Sequence, residues 1–555
     1  MTQEEKDLGV VSEALNRRYS RREILLKSAV VVGAGTTLGS LLVACGGDGG
    51  TTSTPSASSS AGFTTETPKQ GGTLVYARRA ATETLDPLQN RNGNGDIFAA
   101  EIVYTALVRP DPMGSTALVP GLADRWELSA DRLDYTFHIR DNARFSNGDA
   151  VTSDDVKFSL DRFGDPKLNA IYGVLAVGYK GTDVVDKSTV IVHLSQPVSA
   201  FLYNISILPA FILPKKLVEE QGKKFFEKPV GTGPFMVSEW LTGSHMTFVP
   251  NPYYWEDGKP YLDEVRFDFA TDDNARMLAL RSGTAQAADG VPFSEISGLK
   301  SNTAVYLQFT DVPYFQGLWL NHKRPELADL NVRQALQYAL DKEAINKAVY
   351  AGTGTIPNSV LPKLRYDGSP EQVAPYPYDV TKAKELMAAS GFPNGFSTTL
   401  QYPSEFAYYS RLALILQAAW KEIGVSAKLI QQDQGTTSQR FYQFDYDLTF
   451  PYAQFTSDVV VPDEYISFIC DPNSGTDGFF TAWHDDAIWK QVQEFESADE
   501  ASRESLWPQI QQAFMDATPV INVMNLPFVQ AYQANVKNPY INALGANRLE
   551  DTWLA

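Results

Sequence analysis

Cysteine and histidine are scarce in these 555 residues, with two of the first (Cys45 and Cys470) and five of the second (His138, His193, His245, His322 and His484). Two thiols cannot build a disulfide framework, and Cys470, in the run ISFICDP, reads as a small buried apolar residue. The histidines are dispersed, and no H-E-x-x-H, C-x-x-C or G-x-S-x-G pattern occurs, so the sequence signs for no metal centre, no cofactor and no hydrolase nucleophile. Long apolar runs are missing too. The longest, Ser28 to Ala44, has 17 residues diluted by glycine and threonine, short of the roughly 20 that cross a bilayer as a helix. Positive charge is in deficit, with 47 basic against 66 acidic side chains and a formal charge of −19. That balance repels phosphate backbones, excludes nucleic acid as a partner, and keeps an exported protein soluble.

A chain of this length with 43% hydrophobic residues exceeds what one core supports, so two or three domains are expected. Its first 44 residues read as an address. Ser20-Arg21-Arg22-Glu23-Ile24-Leu25-Leu26-Lys27 resembles a twin-arginine export signal carried by Arg21 and Arg22, and Leu42-Val43-Ala44-Cys45 is similar to a bacterial lipobox, with Cys45 as the lipidated residue. A Gly/Ser/Thr/Pro tract at 45–70 follows, too poor in apolar side chains to fold and suited to a flexible tether. The order of signal, box and tether implies export and anchoring of the mature protein to the cell membrane by lipid.

From Gly71 onward, strand-like and helix-like runs alternate without an internal repeat. Short β-rich pieces occur at Val75–Ala77, Tyr135–Ile139, Val190–Leu194, Met246–Val249, Val265–Phe269 and Ser426–Ile430. Helices are expected at Ser153–Phe163 with Ser153 as cap, as one long helix at Leu330–Tyr350, and at Val380–Ala389, Tyr408–Ile423 and Ser502–Asp516. The pattern is that of a mixed α/β chain. The run GTGPF at 231–235 lacks the Lys-Ser/Thr of a phosphate loop and reads as a turn near a hinge.

Several longer runs stand in a recognisable order: GGTLVYA at 71–77, TLDP at 84–87, PGLADRWELSADRLDYTFHIRDNARFSNGDAVTSDDVKFSLDR at 120–162, GTGPF, NPYYWEDGKPYLDEVRF at 251–267, and LNVRQALQYALDKEAI at 330–345. Together they resemble family 5 of the extracellular solute-binding proteins, the peptide/nickel-type receptors of ABC importers, across nearly all of the chain after the tether. The resemblance implies an α/β, type II (cluster C) periplasmic-binding-protein fold of two lobes around a cleft. Lobe I would comprise 71–106, 230–313 and 521–555 with an extra subdomain at 107–229, and lobe II would be 314–520. It implies a monomeric receptor, not an enzyme, that closes on a solute outside the cytoplasm and presents it to a membrane permease.

By the same resemblance, Asp458 matches the carboxylate that anchors a peptide's ammonium, within Tyr452-Ala453-Gln454-Phe455-Thr456-Ser457-Asp458. Tyr452 and Phe455 would flank it, although Phe455 stands where peptide receptors usually carry tryptophan. Tyr314, Gln316 and Trp319 align with the segment where the lobes join, and Asn92 and Asn94 with a lobe I loop that runs past the ligand. The solute stays open between short peptides, opine-like conjugates, oligosaccharides and metal chelates. A secreted glycoside hydrolase is the rival of another class, since two carboxylates suffice for that chemistry and 66 acids are available.

Overall fold

The computed structural model describes residues 63–89, 93–168, 170, 172–358, 376–451, 455–456, 459–472 and 476–555. The export signal, the lipobox and most of the tether therefore lie outside the described residues.

Two large sheets carry the architecture. The first has seven strands in the order Val305–Thr310, Phe528–Gln533, Ala287–Ala288, Thr73–Arg78, Glu264–Phe269, His245–Pro250 and Phe235–Leu241. Its centre is parallel, with Thr73 to Arg78 in register against Glu264 to Phe269. The second has six strands, running Val425–Gln432, Phe396–Pro403, Leu448–Thr449, Tyr314–Leu320 and Phe455–Thr456, with Val520–Asn525 also paired to Tyr314–Leu320. A separate antiparallel sheet of four strands, Ala123–Leu128, Asp134–Ile139, Thr189–Leu194 and Tyr179–Val184, occupies the segment read as an extra subdomain.

Burial explains the strands. Tyr314–Leu320 is buried at every position, as expected of a strand covered on both faces. Asp134–Ile139 alternates buried and half-buried residues, the mark of a sheet with one wet face. The cores follow the sheets. Val332, Leu336, Leu386, Leu412, Leu416 and Trp420 pack helices onto the second sheet, and Phe137, Val156, Leu160, Val190 and Val192 fill the four-stranded subdomain.

The chain passes from the first sheet to the second at 311–313 and returns at 526–527. The strand Val520–Asn525, which the sequence reading divides at 520/521, pairs with the second sheet along its length, from Val520 opposite Trp319 to Asn525 opposite Phe315.

Three local expectations need correction. Thr152, not Ser153, caps the helix Ser153–Gly164, in a reciprocal box with Asp155. The long helix expected at 330–350 is two, Leu330–Tyr338 and Lys342–Val349, because the Asp341 side chain accepts from the Ala344 N–H and starts a second cap. GTGPF packs against the first-sheet helix Asn94–Val103, not at the crossings: the Gly233 N–H donates to Val103 O (2.8 Å), and a Cβ at Gly231 would fall 2.0 Å from that same oxygen.

Candidate ligand-binding cleft

In open parallel sheets, ligands sit beyond the carboxyl ends of the strands. Here the carboxyl ends of Thr73–Arg78 in the first sheet and Phe396–Pro403 in the second lead into segments that touch across the junction of the lobes. Arg79, directly after the first of these strands, lies 4.9 Å from the ring centroid of Phe406, just after the second. Phe293 of the first lobe meets Tyr350 and Tyr408 of the second edge-on, at 5.2 and 5.5 Å between centroids. Burial pushes the Tyr408 phenol above its ordinary range, and the Arg79 charge opposes that rise.

A polar contact joins the lobes nearer the crossings. Asn94 opens the helix Asn94–Val103, and its side-chain amide donates to the Tyr314 hydroxyl at 3.0 Å. The helix start is held by Asp96, whose buried carboxylate accepts the N–H groups of Glu83 (2.6 Å) and Thr84 (3.1 Å). Tyr314 is itself buried and packs edge-on against Phe528 beside the second crossing. Gln316 is fully buried and donates to the Tyr409 hydroxyl at 2.8 Å, tying the crossing strand to the helix Ala407–Lys421.

Trp319, expected with these residues in the cleft wall, is instead a core residue. It is 1% exposed and packs with Phe315, Phe441 and Phe479 under the helices of the second lobe. The alternation of a strand buried on both faces turns Phe315 and Trp319 away from the junction. Phe455 sits opposite Phe315 in the short strand Phe455–Thr456, at the edge of the second sheet. Asn92, Tyr452 and Asp458 lie outside the described residues.

A second set of contacts joins the four-stranded subdomain to the second lobe. Val459, Val460 and Val461 enter the subdomain's core. Arg132 donates to the backbone carbonyls of Ser497 (3.2 Å) and Ala498 (3.0 Å), and the Ser199 hydroxyl donates to Ala498 O at 2.7 Å.

Among the described residues no group of three or more His, Cys, Asp or Glu is placed to hold a metal ion, and no helix is long and apolar enough to cross a membrane. Cys470 is buried and its thiol is pushed up by burial, far from a reactive thiolate.

The profile of bacterial extracellular solute-binding proteins, family 5 middle region, matches residues 117–477. The chain belongs to this family. A dipeptide-binding protein of Escherichia coli K12 is 27% identical over 516 residues, covering 88% of this chain and 96% of that protein. A glutathione-binding protein of Salmonella typhimurium LT2 is 32% identical over 365 residues, 65% of this chain and 70% of that one. The ABC-transporter-associated periplasmic binding protein DppA of Helicobacter pylori, solved with the peptide STSA, matches with a TM-score of 0.75 at 25% identity, over 88% of this chain and 98% of that one. The two-lobe type II fold expected from the sequence is the fold of this solute-binding protein, which serves an ABC importer as an extracellular receptor.

The sequence reading missed Arg79, Phe293, Tyr350, Phe406 and Tyr408. For Arg79, Phe406 and Tyr408 the available signal was positional: an arginine or aromatic near the carboxyl end of a parallel strand is a candidate for the cleft, and TLVYARR and LQYPSEFAYY both have that form.

Proposed function

We propose that this receptor captures a short peptide between its two lobes and hands it to a membrane permease without chemical turnover, as a monomer held to the outer face of the cell membrane through lipid on Cys45. The observation that carries the reading is the meeting of side chains from both lobes at the carboxyl ends of parallel strands, Asn94 with Tyr314 and Arg79 with Phe406. A solute enclosed there touches both lobes only when they shut, and that differential contact shifts the population to the closed form. The peptide complex of the Helicobacter pylori relative and the dipeptide-binding relative of Escherichia coli support the ligand class.

The test is thermal unfolding of the protein lacking residues 1–44 against di- and tripeptide pools, followed by recovery of the peptide. Binding adds about 2.7 kcal/mol of stability at one hundred times Kd, and the peptide is recovered intact. Consumption of the peptide, or stabilisation by oligosaccharides alone, contradicts the reading.

A further inference from the structure

The central strand of the first sheet ends in two consecutive arginines with opposite surroundings. Arg78 is buried, its Nε lies 3.0 Å from Asp289 Oδ2, and the rings of Tyr76, Phe98 and Phe267 surround its guanidinium at 4.3 to 5.1 Å. Arg79 is exposed. Its backbone N–H donates to the other oxygen of Asp289 at 2.6 Å, which fixes where the side chain leaves the sheet. Asp289 is thereby engaged at both oxygens, and among the described residues no carboxylate pairs with Arg79.

Among the described residues the ring against the guanidinium is that of Phe406, from the other lobe, and the Tyr408 phenol lies within reach of its charge. An arginine that rests on an aromatic face keeps its in-plane N–H donors free, and those donors form a fork that fits a carboxylate in two parallel hydrogen bonds. Arg79 thus presents an unspent planar cation at the carboxyl edge of a central parallel strand, with a ring of the opposite lobe against it.

We propose that Arg79 is a specificity-determining residue that receives a carboxylate of the ligand, so that the receptor selects solutes carrying an anionic group. This rests on the reading that the solute is held between the lobes. Phe406 reaches Arg79 only when the lobes meet, so the bound carboxylate and the stacked ring stabilise the same closed state.

Calorimetric titrations of the wild type, Arg79→Gln, Arg79→Lys and Phe406→Leu use two matched pairs of probes: trialanine with its C-terminal amide, and N-acetylglutamate with its uncharged diamide. Wild type prefers the acid of a pair by about tenfold or more, the size of a charge-assisted hydrogen-bonded pair. Arg79→Gln brings that preference close to unity, and Arg79→Lys and Phe406→Leu keep part of it. An unliganded melting temperature unchanged by Arg79→Gln shows that the fold is intact. Acid preference in the acetylglutamate pair alone retires the peptide reading and leaves Arg79 in its role. A preference that survives Arg79→Gln, a wild type indifferent to the acid, or a wild type that binds neither pair overturns the assignment.

Discussion

Lys342 carries an amine into the interior of the second lobe at 3% exposure, with no hydrogen-bond partner among the described residues. Burial alone brings its pKa down from 10.5 to about 8. Between those two values the unfolded chain holds the proton and the folded chain has released it, so stability rises with pH through that window. Below pH 8 both states are charged and the full penalty stands, at most about 3 kcal/mol at 1.36 kcal/mol per pH unit. Lys342→Met is expected to raise stability at pH 7 by about 1 to 3 kcal/mol in urea unfolding, and the gain should shrink to nothing near pH 10.5. Asp458 belongs to the same scale. If its carboxylate anchors a ligand ammonium, Asp458→Asn weakens peptide binding by about tenfold or more in calorimetry; an unchanged Kd removes it from the site. Residue roles were the least legible part of the sequence. Trp319 and Tyr314 share one aromatic-rich strand, and only the alternation of its two buried faces tells the core ring from the one at the junction.

Helix ends were legible in part, because caps are local chemistry. Asp379, Asp433, Asp485 and Asp499 each accept backbone N–H groups at a helix start, the arrangement their residue type favours. Asp341 obeys the same rule, but its position inside an unbroken apolar period hid the break between Leu330–Tyr338 and Lys342–Val349. The box at Thr152 and Asp155 gives a direct check: Thr152→Ala should cost about 1 kcal/mol in urea unfolding, and Ser153→Ala far less. The helix Asp486–Ser497 holds a pH-sensitive group in Glu496, raised to about 7 by burial and by Asp463 and Asp471, while the hydrogen bond from Ser467 and the charge of Arg503 pull it the other way. The folded state binds this proton more tightly, so its contribution is complete below pH 4.5 and is lost as pH rises through 7. Glu496→Gln should therefore flatten the decline in melting temperature across that window; an unaltered profile would clear Glu496 of it.

At the scale of the molecule, the sheets and the family were readable because long motifs in a fixed order constrain topology more tightly than any single residue does. The crossings were less so. Val520–Asn525 reads as one more buried strand, and only its pairing with Tyr314–Leu320 assigns it to the second lobe. The subdomain's grip on the second lobe was invisible, since it uses backbone carbonyls at Ser497 and Ala498 that any residue could offer. Arg132 holds those carbonyls across the two units, and if the bonds form only on closure, Arg132→Ala should weaken peptide affinity about fivefold without touching the ligand, the effect of losing about 1 kcal/mol from the closed state; an unchanged Kd shows that they persist in the open form. Small-angle scattering of the protein lacking residues 1–44, free and with saturating peptide, tests closure on a solute most directly. The radius of gyration should fall when peptide binds, and superimposable curves from free and saturated protein would contradict the account.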